Sequence, residues 1–255
     1  MRTTAHGRNL IQLTRYPRIF PVNCYLVREE DGFTLIDAGL PGSGEAILEG
    51  AREHGGIIRR IALTHAHGDH VSSLDALHSA LPDAEVLIPA REARFLAGDM
   101  SLDPEEPQAK LRGGWQVCET RPTRLLSSGE RMGSLEVVAS PGHTPGHVAF
   151  LDTRDGTLIA GDTFQTRAGV AVSGTLRLLF PFPALATWHE PTALKSAQIS
   201  RALGPSRLAV GHGKVLEDPL GAMDRAIAAS KRRVAGRSEV EEPAENTGAR
   251  AQCVA

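Results

Sequence analysis

The segment THAHGDH, residues 64–70, places His65, His67, Asp69 and His70 within six positions. Imidazole titrates near neutrality, so a crowd of histidines repels itself when protonated. A divalent cation reverses that cost, because several neutral lone pairs then face one positive charge. In an extended segment residues two apart point the same way, so His65 and His67 can grip one ion. Gly68 lets the chain turn, and Asp69 and His70 then point toward a second position. Imidazole and carboxylate are the ligands of borderline divalent metals, zinc first, with iron or manganese as alternatives.

The remaining residues of this chemical type fall where apolar runs end. FTLI ends in Asp37, RIALT in His65, LEVVASPG in His143, GTLIAG in Asp162 and RLAVG in His212. A lone histidine at a strand end is ordinarily a hydrogen-bonded structural residue, and a lone aspartate there ordinarily caps a turn. Five such deliveries together read otherwise, since strand-end loops are where rigid scaffolds present chemistry. Gly142, Gly161 and Gly211 precede three of them and permit tight turns.

NLIQLTR, VNCYLVR and FTLID read as successive strands, with a helix over about 45–54. RIALT and AEVLIP are further strands, with helices over about 72–80 and in AREARFLAG. LEVVAS, HVAFLD, GTLIAG and RLAVG are strands of the second half, with helices over about 191–203 and 220–234. This order suits an α/β protein with two mixed sheets packed face to face and helices outside. Residues 1–234 read as one domain interrupted by insertions at about 99–122 and 163–188. The second insertion is unusually apolar, and Phe164, Phe180, Phe182, Trp188 and the neighbouring His189 are candidates for a substrate pocket. Residues 235–255 are polar and weakly patterned, as expected of a flexible tail.

Composition narrows the function. The chain has 255 residues, 41% of them apolar, enough for one sizeable core. A net charge of −2 with scattered Lys and Arg argues against nucleic acid as a partner. The basic run Lys231, Arg232 and Arg233 reads as a solvated helix end. Cys24, Cys118 and Cys253 are few, odd in number and far apart, which suits free thiols in a reducing compartment. No apolar run reaches membrane-span length and the N-terminus lacks a signal-peptide core. The expectation is a soluble cytoplasmic protein, monomer or homodimer, acting on a small molecule.

THAHGDH, followed in order by PGHTPGH, AGDT and GHG, resembles the metallo-β-lactamase-fold superfamily over roughly residues 10–225. The resemblance implies a four-layer αββα sandwich with a two-metal site at one edge, most often zinc. It implies that His65, His67 and His143 bind one metal, that Asp69, His70 and His212 bind the other, and that Asp162 bridges both. Asp37 matches an acidic residue that orients a ligand. The implied reaction is attack of a metal-activated hydroxide on an acyl carbon, with Asp69 shuttling a proton.

Within that superfamily the residues select a branch. Zinc β-lactamases carry Cys at the position of Asp162 or lack the bridging carboxylate. RNA-processing nucleases want a basic surface, which this composition lacks. Lactonases that quench signalling carry a Tyr shortly after the bridging Asp, where this chain has TFQT. Glyoxalase II resembles this sequence at AGDT-x-F but adds a helical domain, whereas only 43 residues follow His212 here. Persulfide dioxygenases use one iron and carry a Cys-containing segment where this chain reads TFQTRAGVAVSG. The expectation is a dinuclear hydrolase of esters, thioesters or lactones, with the iron dioxygenase as the alternative. His147 is expected either to support the site or to pack beneath it.

Overall fold

The computed structural model describes residues 1–241. In the first half, β1 (Arg2–His6), β2 (Leu10–Arg15), β3 (Val22–Glu29) and β4 (Gly32–Ile36) form an antiparallel ladder. The helix α1 (Gly44–Glu53) then crosses to β5 (Ile58–Ala62), parallel to β4. Two short helices, α2 (Gly68–Val71) and α3 (Leu74–Ala80), lead to β6 (Glu85–Pro89), and α4 (Ala90–Leu96) precedes β7 (Arg124–Leu126). The seven strands lie in sequence order in one sheet, the last three added in parallel.

The second half repeats the theme with β8 (Arg131–Met132), β9 (Leu135–Ala139), β10 (Val148–Asp152) and β11 (Thr157–Ile159). A small hairpin, β12 (Phe164–Gln165) with β13 (Ala171–Val172), and the short α5 (Phe182–Leu185) occupy the second insertion. The chain ends with α6 (Glu190–Ala202), β14 (Arg207–Ala209), β15 (Leu216–Glu217) and α7 (Leu220–Glu241). This sheet has the order β15-β14-β11-β10-β9-β8, with β14 parallel to β11.

Strand periodicity of two builds the layers. In β3, Cys24 and Leu26 face the helices α1, α3 and α4, where Ile47, Leu74, Leu77 and Phe95 complete an outer apolar layer. Tyr25 and Val27 face the other way and meet Leu135, Val137, Val148, Phe150 and Ile159 between the sheets. In β10 the same switch sends Ala149 outward to a third layer with Ala197, Met223 and Ala226 of α6 and α7. The result is the expected αββα sandwich.

The sequence patterns left some elements unread. Strand β1 contains no large apolar residue, and β7, β8 and β15 are three residues or fewer, too short to show a period. The expected tail is helical over 235–241, because α7 runs on to Glu241; 242–255, with Cys253, lie outside the described residues. The basic run 231–233 sits within α7 rather than at its end, and Arg233 pairs with Glu190 at 2.9 Å. No described helix is long and apolar enough to cross a membrane.

A buried polar clamp ties the sheets together. The Tyr25 hydroxyl donates to the Val210 carbonyl at 2.7 Å and accepts from the Val210 N–H at 3.0 Å. The Asn23 amide donates to the Val210 and Gly213 carbonyls, both at 2.8 Å. Tyr25→Phe leaves the buried Val210 N–H without its acceptor, while Asn23 still serves the carbonyl. Thermal or denaturant unfolding of this variant is expected to show a loss of about 1–3 kcal/mol with unchanged secondary structure.

Candidate metal centre

The exits of β4, β5, β9, β11 and β14 bring Asp37, His65, His143, Asp162 and His212 to one rim of the sandwich, and α2 adds Asp69 and His70. Three overlapping groups have donor atoms within 4.8 Å of one another: His65 with His67 and His143; Asp69 with His70 and His212; and His65 with His70 and Asp162. Asp162 lies between the first two groups. Its Oδ2 is 3.3 Å from His143 Nε2 and 3.2 Å from His212 Nε2, and its Oδ1 is 3.6 Å from His70 Nε2. Asp69 Oδ2 stands 3.3 Å from His212 Nε2.

Each ring is held from outside. His70 Nδ1 meets Asp37 Oδ2 at 2.8 Å, and His212 Nδ1 meets the Pro21 carbonyl at 2.8 Å. His143 Nδ1 meets the Ser173 hydroxyl at 2.8 Å, itself bonded to Thr187. His65 Nδ1 meets Thr64 Oγ1 at 2.9 Å, and His67 Nε2 meets the Arg112 carbonyl at 2.9 Å. The second nitrogen of every ring therefore points inward. His65 Nε2, His70 Nε2 and Asp162 Oδ1 are buried with no hydrogen-bond partner among the described residues. Unpartnered buried polar atoms are expensive, and three converging ones suit a cation.

Electrostatics divides the rings. Burial drives His65 and His143 well below the ordinary imidazole range, the latter against the pull of Asp162, which keeps them neutral as ligands must be. Burial also opposes charge on His70, but Asp162, Asp69 and Asp37 outweigh it and push the ring up to about 9. His212 is likewise raised, burial being overcome chiefly by Asp162. The side of the centre bounded by Asp69, His70 and His212 is thus strongly attractive to positive charge. Asp37 sits at φ 63°, an unusual conformation for a residue other than glycine, and receives the Thr64 N–H as well as His70.

Residues beyond the ligand candidates complete the frame. Glu92, on α4, is fully buried; its carboxylate accepts from Ala66 N at 2.8 Å, Thr144 Oγ1 at 2.7 Å and Gly146 N at 2.7 Å. It straps the loop of His65 and His67 to the loop of His143. Burial pushes its pKa up to about 7, opposed by those three donors. Its only sequence signal was an acid on the apolar face of a helix. The first insertion is equally engaged: Gly68 N donates to the Gly114 carbonyl at 2.7 Å, and Trp115 packs against the His67 ring. A side chain at Gly113 would collide with His67, and one at Gly211 with Asp162. His147 lies beneath, accepting the Asp162 N–H at 3.0 Å, with burial driving its pKa down to about 3.

A cavity of about 460 Å³ opens over the centre, lined by His67, Asp69, His143, Asp162, His212, Phe20, Leu40, Phe182 and Leu185. Of the candidate pocket residues, Phe182 lines this cavity at 51% exposure. Phe180 stands behind it, 5.4 Å from the Phe182 ring and 5.6 Å from His212. Phe164 belongs instead to the outer core with Val138 and Leu158, because its strand faces α6 and α7. Trp188 is buried with its indole N–H on the Ala109 carbonyl, and His189 bonds Thr192 at the start of α6; both border a different cavity. Phe20 and Leu40, from the first half, and Leu185, from the second insertion, are apolar wall residues not among the candidates.

The metallo-beta-lactamase superfamily profile matches residues 17–212. The uncharacterized protein YobT of Bacillus subtilis is 52% identical over 91% of this chain and 100% of its own length. The probable metallo-hydrolase YflN of the same organism is 28% identical over 75% of this chain and 80% of its own. A hydroxyacylglutathione hydrolase of Xanthomonas euvesicatoria is 32% identical over 55% of this chain and 46% of its own. Among solved structures, DIM-1 metallo-beta-lactamase superposes with a TM-score of 0.68 at 17% identity, over 91% of this chain and 97% of that one. TTHA1623 in a di-iron-bound form gives 0.58 at 29% identity, over 83% and 96%.

Glu92→Gln substitutes an N–H₂ group for one of the two acceptors that join the ligand loops. The variant is expected to fold but to bind metal about 10- to 100-fold more weakly, read by chelator competition. Unchanged metal affinity would remove Glu92 from the frame of the centre.

Proposed function

The chain belongs to the metallo-β-lactamase superfamily, and from that premise we propose that it is a hydrolase holding two divalent metal ions and cleaving ester, thioester or lactone bonds of small molecules. The observation that carries this reading is the position of Asp162 within 3.6 Å of donors from both halves of the centre. His65, His67 and His143 would hold one ion, and Asp69, His70 and His212 the other, with Asp162 shared. The three unpartnered buried atoms fit such occupants. Zinc suits the donor set, and the di-iron form of TTHA1623 makes iron the second choice.

Metal ions so placed would lower the pKa of a water into the neutral range and polarise an acyl oxygen. The protein's own part is orientation and proton transfer. Asp37, Ser173 and the carbonyls of Pro21 and Arg112 fix four rings against rotation. Asp69 has 25% of its side chain exposed, against 3% for Asp162. It is therefore the carboxylate placed to take the nucleophile's proton and return it to the leaving group. Phe20, Leu40, Phe182 and Leu185 hold the non-reacting part of the substrate and exclude water from it. Among the described residues no lysine or arginine lines this cavity, so away from the metals a charged substrate group finds no cationic side chain there.

Elemental analysis of purified protein is expected to give two metals per chain. His67→Ala should lose metal and lower kcat/KM beyond the roughly 100-fold range of supporting residues. A panel of p-nitrophenyl esters, acyl-thioesters and lactones should show turnover of uncharged acyl substrates. One iron per chain, with oxygen uptake on a persulfide and no esterolysis, would replace this reading with a dioxygenase.

A further inference from the structure

We propose that the protein carries a second ligand site, for a phosphate-type oxyanion on a small molecule, in a cavity behind the loop that holds His212. This cavity of about 450 Å³ is distinct from the one over the metal centre. Arg2, Arg167 and Lys214 line it with His6, and no aspartate or glutamate does. Among the described residues these three cations make no ion pair. Several arginines elsewhere are paired with a carboxylate, Arg207 with Glu217, Arg154 with Asp152 and Arg60 with Asp31. Three unpaired cations around one concavity repel one another, and an oxyanion with several acceptor oxygens relieves that repulsion while satisfying their N–H groups.

The walls are built rather than incidental. Gln12 is buried and donates to the Gly213 carbonyl at 3.0 Å, while its other amide atom meets His6 at 3.1 Å. Arg167 is aimed by one bond from Nη2 to the Arg18 carbonyl at 2.6 Å, and no further partner is found for its remaining donors among the described residues. Thr166 Oγ1 donates to the Lys214 carbonyl at 2.7 Å, pinning the two cation-bearing segments together. Ala168 on the wall and Tyr16 beside it take positive φ, 59° and 49°, a strain that non-glycine residues hold only where the surroundings enforce it. The concave shape and the net charge of −2 favour a small anion over a nucleic-acid backbone, which needs an extended basic surface.

The site shares a wall with the candidate metal centre. Pro21 and Gly213 line the cationic cavity, while their chain neighbours Phe20 and His212 line the other. His212 Nδ1 bonds the Pro21 carbonyl, and the backbone N–H groups of Thr166 and Arg167 both donate to the His212 carbonyl, at 3.0 and 3.2 Å. An anion held by Arg167 and Lys214 therefore sits beside the loop of a metal-ligand candidate, Lys214 lying two residues from His212 and the Arg167 N–H on the His212 carbonyl. It has two possible sources: a phosphate-bearing part of the substrate reaching over Phe20 and Pro21, or a separate effector that stiffens the His212 loop.

Calorimetric titration of the metal-loaded protein with methyl phosphate, in parallel with the double variant Arg167→Gln/Lys214→Gln, tests the site. Any phosphate held by the metals survives in the variant; the cavity's share is what is lost. Binding is expected to weaken about tenfold or more and to fall with added salt in the parent protein. The unfolding midpoint without ligand should change little, since the variant loses the Arg167 bond to the Arg18 carbonyl but also relieves the repulsion between the cations. A substrate tail is indicated if a phosphate-bearing acyl ester loses its kcat/KM advantage over a neutral ester in the variant. An effector is indicated if methyl phosphate alters neutral-ester kinetics in the parent only. Identical isotherms in both proteins, or capture of a single-stranded oligonucleotide by these cations with no methyl phosphate binding, would overturn the proposal. The binding readout needs no turnover, so it stands apart from the hydrolase reading.

Discussion

Five imidazoles and two carboxylates cannot be gathered at the edge of an apolar sandwich unless every outward-facing atom is partnered and every inward-facing atom has a common target. Burying polar groups without partners costs several kcal/mol in all, more than a domain's margin of stability tolerates lightly. The protein meets this constraint ring by ring. Carbonyls, hydroxyls or a carboxylate take one nitrogen of each histidine, and the opposite nitrogen faces Asp162 and its neighbours. Much of the surrounding architecture is the means of placing those outer partners.

The two sheets contribute different parts of that frame. The first supplies Asp37, the THAHGDH loop and, through Pro21, the clamp on His212. The second supplies His143, Asp162 and His212 from three strand exits. They are kept in register by polar bonds that cross between them: Tyr25 and Asn23 reach from β3 to Val210 and Gly213. Glu92 does the same from α4 to the His143 loop. Apolar layers give the sandwich its bulk, but hydrophobic packing is non-directional and does not by itself hold donor atoms to within tenths of an ångström. The directed bonds do that.

The two insertions are also part of the frame. Arg112, Gly114 and Trp115 of the first close over His67, and Ser173 and Thr187 of the second orient His143. Their apolar members divide between roles. Phe182 meets the cavity over the centre, Phe180 backs it, and Phe164 packs into the outer core. The cavity over the centre thus carries apolar side chains beside the imidazoles and carboxylates, whereas the cationic side chains lie on the far side of the His212 loop.

The amino-acid sequence alone determined the order of the longer strands and helices, the strand-end placement of the acidic and imidazole residues, and the close spacing of potential metal donors in THAHGDH. These properties are local, since periodicity and ligand spacing are written into short segments. It did not determine the rest, because the partners are far apart in the chain. Glu92 lies 52 residues from Thr144, and Pro21 lies 191 residues from His212. Only its place on the apolar face of AREARFLAG distinguishes Glu92 from an ordinary helix acid, with no sign of what it binds, and nothing in the second insertion separates Phe182 from Phe164. Only the folded chain decided which side chain faces the centre, because that depends on which surface of a strand or loop the opposing sheet leaves uncovered.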